Sequence, residues 1–181
     1  GSALKLQGVE ALLSALDDFT LAPDYPDAFG ARVFKISRDA QGGRLTWLKV
    51  TGGALRVKTP LSYEAQGRAY SEKADQLRLY SGVKFRTLEE ADAGSVVAVT
   101  GLSHSHVGLG LGVEAEASAP LLQPVLTYRL ILPDGADAHS ALTKLRELEE
   151  EDPMLRIVWD EHSGQIHVPL MGKIQLEILR R

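Results

Sequence analysis

The chain has 181 residues, a net charge of -4, 24% charged and 44% hydrophobic side chains, and no cysteine. These values describe one or two ordinary globular domains, and the missing thiols exclude both a disulfide framework and a thiolate metal site. No apolar run approaches the roughly 20 residues a membrane helix needs, and no signal peptide is visible.

The charge is unevenly placed. Gly30 to Glu90 carries 12 Lys/Arg against 6 Asp/Glu, Ala91 to Arg181 carries 7 against 13, and Gly1 to Phe29 carries 1 against 5. A basic middle between acidic flanks suits a surface that meets phosphate locally, although clustering on solvated strand faces gives the same count. The first residue is Gly1 and not methionine, so a piece of a longer protein is expected.

Gly8 to Phe19 reads as an amphipathic helix, with Val9, Leu12, Leu13, Leu16 and Phe19 recurring at three- and four-residue steps. Leu21-Ala-Pro23-Asp-Tyr-Pro26-Asp27 then reads as an extended linker, because prolines and the residues before them leave helical geometry. From Phe29 to about Ala117 the texture is β. Ala31–Ile36 and Arg44–Val50 alternate around a turn at Asp39–Gly43, with Thr46, Leu48 and Val50 on one side of the second strand and Leu45, Trp47 and Lys49 on the other. Gly52-Gly53 has the form of a two-residue hairpin loop. Further strands are expected at Ala54–Val57, Gln76–Tyr80, Ser95–Leu102 and Leu111–Ala115. Short strands joined by glycine turns predict a small closed barrel.

Pro120 to Pro124 marks the next boundary. Val125–Leu132 reads as a strand, and Asp137 as the N-cap of a helix from Ala138 to Glu151 with Ala141, Leu142, Leu145 and Leu148 as its apolar stripe. Asp152-Pro153 ends that helix. Leu155–Trp159 and Gln165–Val168 flank a hairpin turn at Glu161–Gly164, and Gly172–Arg181 begins another helix. The order β-α-β-β-α lacks one strand of a ferredoxin-like domain. The fold class is therefore mainly β plus α+β, with divisions at 1–27, 28–119 and 120–181.

Motifs that tempt a chemical reading are weak. Gly108-Leu-Gly110-Leu-Gly112 misses the dinucleotide spacing by one place and reads as a flexible barrel loop. His104-Ser-His106 has no thiolate or matching carboxylate, so a solvated loop is expected and no metal. His139, His162 and His167 support no triad, no serine sits in a G-x-S-x-G elbow, and no catalytic residue is assigned. Glu149-Glu-Glu-Asp152 reads as a solvated helix end that opposes the helix dipole, with room for a basic partner. The phosphate-cradling G-x-x-x-x-G-K-[ST] loop is absent.

Several stretches together resemble the elongation factor G family of ribosomal GTPases. They are Arg32-Val-Phe-Lys-Ile36, Gly43-Arg-Leu-Thr46, Gly52-Gly-Ala-Leu55, Ala93–Leu102, the acidic Glu151-Asp-Pro153 helix end, Gly164-Gln165 between paired strands, and Met171-Gly172 opening a helix. Lys173 and Gln175 depart from the usual pattern. With Tyr80–Phe85 they look more like the tetracycline-resistance ribosomal protection branch.

The resemblance implies the tail of a GTPase domain, a translation-factor β-barrel and a truncated ferredoxin-like domain. Ser2, Ala3 and Leu4 match the last guanine-binding loop, although Gly1-Ser2 also reads as a cloning remnant. GTP and Mg would belong to the parent and not to this chain, which has no Asn and hence no Asn-Lys-x-Asp element. The implied partners are small-subunit ribosomal RNA and a small-subunit ribosomal protein, in the cytoplasm, with neither membrane nor DNA.

Arg32, Lys35, Arg38, Arg44, Lys49, Arg56 and Lys58 are the candidate phosphate contacts. Trp47 and Tyr80 are candidates for base stacking, with half-buried packing the simpler reading of Trp47. An elongation factor G-type translocase fragment and a stand-alone RNA-binding barrel module are the alternatives.

Overall fold

The protein is represented by a computed structural model that describes residues 1–21, 23–117, 124–133 and 135–179. A 3₁₀ turn at Ala3–Lys5 leads into helix α1 (Val9–Phe19). The helix has the expected apolar stripe, yet Leu12, Leu13, Leu16 and Phe19 are all exposed, Phe19 at 85%.

The β portion holds strands β1 (Gly30–Arg38), β2 (Arg44–Gly52), β3 (Ala54–Arg56), β4 (Pro60–Ala65), β5 (Arg68–Lys73), β6 (Gln76–Ser81), β7 (Lys84–Leu88), β8 (Glu90–Asp92), β9 (Val96–Thr100) and β10 (Gly110–Gly112). Six of them form one antiparallel sheet in the order β10-β1-β2-β9-β6-β7, and β3-β8 and β4-β5 pair separately. The barrel encloses one core: Ile36 and Val33 from β1, Leu48 and Val50 from β2, Leu77 from β6, Val97 and Val99 from β9 and Leu111 from β10 are all within 1% of full burial. Each such side chain contributes about 1.5–3 kcal/mol by leaving water.

Closure comes from packing, not from an unbroken ladder. The hydrogen bonds stop at β10 and β7, and the β4–β5 hairpin fills the gap with Leu61, Tyr63 and Ala65 turned inward. The open β7 edge carries Lys84 and Arg86, exposed charges of the kind that discourage edge-to-edge pairing.

The Asp39–Gly43 turn forms as expected, the Asp39 carboxylate accepting the N–H groups of Gln41 and Gly43. A register shift at Phe34 pairs Val33 with Leu48 but Lys35 with Trp47. This bulge lets Val33 and Ile36 both reach the core while Phe34 stays 47% exposed.

Gly52-Gly53 is not a hairpin loop. β3 leaves β2 and pairs with β8, across Ala54–Asp92 and Arg56–Glu90. The linker is the physical reason: the Gly53 N–H donates to the Pro26 carbonyl at 2.8 Å, and a Cβ on Gly53 would lie 2.7 Å from the Asp27 carbonyl oxygen. The Gly108–Gly112 run is likewise not a loose loop. Its second half is β10, paired with β1.

The α/β portion comprises β11 (Leu126–Leu130), α2 (Ala138–Glu151), β12 (Val158–Asp160), β13 (Gln165–Leu170) and α3 (Lys173–Leu179). Its antiparallel sheet runs β11-β13-β12, so the strand reached through α2 skips the central place and the next strand takes it. That is the split β-α-β arrangement of ferredoxin-like folds. Pro120 and the expected end of the last helix at Arg181 lie outside the described residues.

Asp137 caps α2 as its sequence predicts, accepting from the backbone of His139 and Ser140. Ala141, Leu142 and Leu145 pack on a second core of Leu155, Ile157, Ile166, Val168 and Leu170. Leu148 does not join them and is 40% exposed. The strand expected from Leu155 begins only at Val158, because Leu155 and Ile157 are buried without pairing in the sheet.

Candidate RNA-contact face

The seven basic candidates do not form one patch. β2 alternates with Thr46, Leu48 and Val50 inward, which leaves Lys49 fully outward and Trp47 half-buried on the outer face. Arg32 donates to Glu114 at 2.6 Å, Arg56 to Glu90 at 2.9 Å and Lys58 to Asp75 at 2.8 Å. These are exposed pairs of the kind worth roughly 0–1 kcal/mol.

Arg38 and Arg44 face helix α2. Arg38 lies 3.9 Å from Glu147 and 3.5 Å from Glu150, and Arg44 Nε donates to Glu150 at 3.1 Å. The Arg44 guanidinium also donates to the Ser105 carbonyl and hydroxyl, to Thr46 and to the Leu102 carbonyl. So the acidic end of α2 finds its basic partner in the barrel of the same chain. Glu149 is also engaged, accepting from Arg146 and from the Ile157 backbone N–H.

Among the described residues, only Lys35 and Lys49 of the seven have no carboxylate partner. Both stand on the outer face of the six-stranded sheet. Lys35 pairs across the ladder with Trp47, and its ammonium sits 6.0 Å from the Trp47 ring centroid. Lys49 stands opposite Val96, which is 43% exposed.

An aromatic row crosses the same face. Trp47 and Tyr80 ring centroids lie 4.9 Å apart, and Tyr80 and Phe85 lie 5.1 Å apart. Ala98 stands between Trp47 and Arg78 in the ladder and is too small to hold the rings apart. The Trp47 indole N–H donates to Ser37, and the Arg78 guanidinium lies 4.6 Å from the Phe85 centroid. Arg78 also donates to Asp39 at 3.0 Å, a pair only 15% exposed on each side. The Arg78 hydrogen bond and then the Gly43 N–H hold the Asp39 carboxyl below its ordinary pKa.

Arg78 and Phe85 were not among the sequence candidates. The signal was present: Gly82-Val83 is a two-residue loop between Ser81 and Lys84, and its Gly at the first position sets Tyr80 opposite Phe85.

Other candidates have structural positions. The Ser2 N–H is taken by the Gln7 carbonyl, and Leu4 is 95% exposed. His104 and His106 diverge, His104 stacking on Tyr70 and bonding Glu72, and His106 bonding Glu116. Glu72 also accepts from Tyr63, whose phenol burial and that carboxylate push well above its ordinary pKa. A cleft of about 900 Å³ opens between the β4–β5 hairpin and α2, while the barrel interior itself is filled by side chains, mostly aliphatic.

Residues 28–109 match the family described as elongation factor G domain 2. The similarity extends beyond the barrel. The chain is 30% identical to elongation factor G 2 of Syntrophus aciditrophicus over 99% of its length, and 28% identical to elongation factor G of Paracoccus denitrificans, also over 99%.

The chain is similar to elongation factor G along almost its whole length.

It spans 30% and 29% of the length of those two relatives. A crystal structure of a Thermus thermophilus protein superposes with a TM-score of 0.73 at 25% identity, covering 94% of this chain and 27% of that one. An elongation factor G-like barrel followed by an α+β unit thus accounts for both cores.

Proposed function

We propose that this chain is part of a ribosome-associated GTPase of the elongation factor G type, and that it supplies RNA contact and force transmission while the chemistry lies elsewhere in the parent. The observation that carries this reading is the similarity to elongation factors G across both cores, from end to end of the chain. Its division would be 1–27 as the end of the GTPase domain with its linker, 28–119 as the barrel and 120–181 as the α/β unit.

In the parent, Ser2, Ala3 and Leu4 would border the guanine site, with GTP and Mg held by residues outside this chain. The partners would be small-subunit ribosomal RNA, met by the barrel, and a small-subunit ribosomal protein, in the cytoplasm. The contact would rest first on Lys35 and Lys49, whose charges are not already balanced by a carboxylate. Arg38 and Arg44 would instead tie the barrel to α2, so that a push on one portion reaches the other.

A translocase-type parent is favoured over a tetracycline-protection type. The relatives above are named elongation factor G, and Gln175 has a local task that explains it without a change of function. Its side-chain oxygen accepts from the Met171 N–H at 2.8 Å and its amide donates to Asp152 at 2.8 Å, tying the start of α3 to the end of α2.

Co-sedimentation with isolated ribosomal subunits tests the proposal. We expect the chain to pellet with the small subunit at low salt and to release as salt rises. Failure to pellet with either subunit at any salt would remove it.

A further inference from the structure

We propose that the outer face of the six-stranded sheet is a stacking platform for unpaired RNA bases, centred on Phe85 and Trp47 and rimmed by Lys35 and Lys49. The choice of RNA as the nucleic acid rests on the ribosomal reading above, but the stacking mode comes from the face itself.

Three features of this face set it apart from an ordinary solvated sheet. First, three aromatic rings lie in one row across β2, β6 and β7, with centroid steps of 4.9 and 5.1 Å. Phe85 at one end is 47% exposed, and Phe34 on the β1 bulge is exposed to the same degree. A rigid β-face holds such rings at low entropic cost, and every base offers a π-face to them.

Second, the cations are arranged around the rings and not over the core. Arg78 lies beneath Phe85 and is itself fixed by Asp39, so it orients the ring and adds cation–π character without needing a phosphate. Lys35 and Lys49 have no carboxylate partner among the described residues. They are the ammonium groups free to follow a backbone whose bases lie on the rings.

Third, the face has the charge of a nucleic-acid site and not that of a hydrophobic protein interface. Val96, Phe34 and the rings are its exposed apolar content, and the carboxylates Asp39 and Glu114 are paired with Arg78 and Arg32. A duplex offers only phosphates to such a surface, since its bases are stacked on one another, whereas a loop or bulge offers bases and phosphates together.

The test uses the 181-residue chain and a fluorescein-labelled single-stranded RNA of roughly ten nucleotides, within the site size of small barrels, together with the same sequence as a blunt duplex. Fluorescence anisotropy at low salt is expected to show tighter binding of the single strand. Phe85→Ala is expected to weaken single-strand affinity about tenfold while leaving duplex affinity unchanged. Phe85→Trp should retain or improve it.

Phe85 lies on the open edge strand and outside the core, so its replacement should leave the circular dichroism spectrum unchanged. Single-strand affinity unaffected by Phe85→Ala in a folded chain overturns the platform. Equal affinity for single strand and duplex does the same, and leaves a backbone-only contact through Lys35 and Lys49, and with it the ribosomal proposal, standing. Absence of binding to either RNA overturns the platform as well.

Discussion

Arg44 reaches from β2 to Thr46, Leu102, Ser105 and Glu150 at once, and its side chain is only 16% exposed. In sequence it is one of seven similar cations; in the fold it completes a buried network with Thr46, Leu102 and Ser105 and is the partner of the Ser105 carbonyl. Arg44→Met should therefore lower stability by about 2 kcal/mol in urea unfolding, since it strands the Ser105 carbonyl. Glu150→Gln should cost under about 1 kcal/mol, because Glu150 is 44% exposed and water screens its half of the pair. Equal losses from the two variants would mean that the ion pair, and not the hydrogen bonds inside the barrel, gives Arg44 its role.

Asp39 links the β1–β2 turn to the aromatic face, and its pKa is lowered in the folded chain by Arg78 and the Gly43 N–H. A lowered folded-state value means that its contribution is fully present above the unfolded value of about 3.9 and is lost as pH falls through the folded one. Thermal midpoints should accordingly be level between about pH 5 and 7 and fall below about pH 4. Asp39→Asn should shrink that acid decline without removing it, as Glu114, Asp137 and Asp160 are shifted in the same direction. An unaltered acid decline in the variant would show that Asp39 is not coupled to folding.

At the scale of elements, the bounds of helix α2 and all of its stripe except Leu148 were legible because these signals are local. Asp137 supplies the cap, Ala141, Leu142 and Leu145 the stripe and Asp152-Pro153 the stop. The β4–β5 hairpin could have been read as well: Leu61, Tyr63 and Ala65 alternate, and Gln66-Gly67 both take positive φ, 52° and 72°. The pairing of β3 with β8 could not. It depends on the linker near Pro26 and Asp27 occupying the space where a β2–β3 hairpin would turn, and no local pattern announces that. Gly53→Ala tests the arrangement. With φ at 54° and the Asp27 carbonyl 2.7 Å from the added Cβ, a loss of about 1–3 kcal/mol is expected. A neutral substitution would mean the linker can move away without affecting the barrel.

For the molecule as a whole, the basic excess between Gly30 and Glu90 was visible in composition, but its availability was not. Which cations stay free is decided by carboxylates brought in from elsewhere, Glu114 beside Arg32 and Glu147 and Glu150 beside Arg38 and Arg44. Such pairings span 82 to 112 residues of chain, far beyond any periodicity. The same folding gathers Trp47, Tyr80 and Phe85 with Lys35 and Lys49 on one face, the face proposed to meet RNA.

The salt dependence of small-subunit binding tests that assignment most directly. For Lys35→Gln/Lys49→Gln we expect the slope of log K against log salt to flatten by about 1.5 to 2, the release of two phosphate contacts. Arg56→Gln/Lys58→Gln, which removes two cations already paired with Glu90 and Asp75, should run parallel to the unchanged chain. An unchanged slope in the first pair, or a flattening confined to the second, would contradict it.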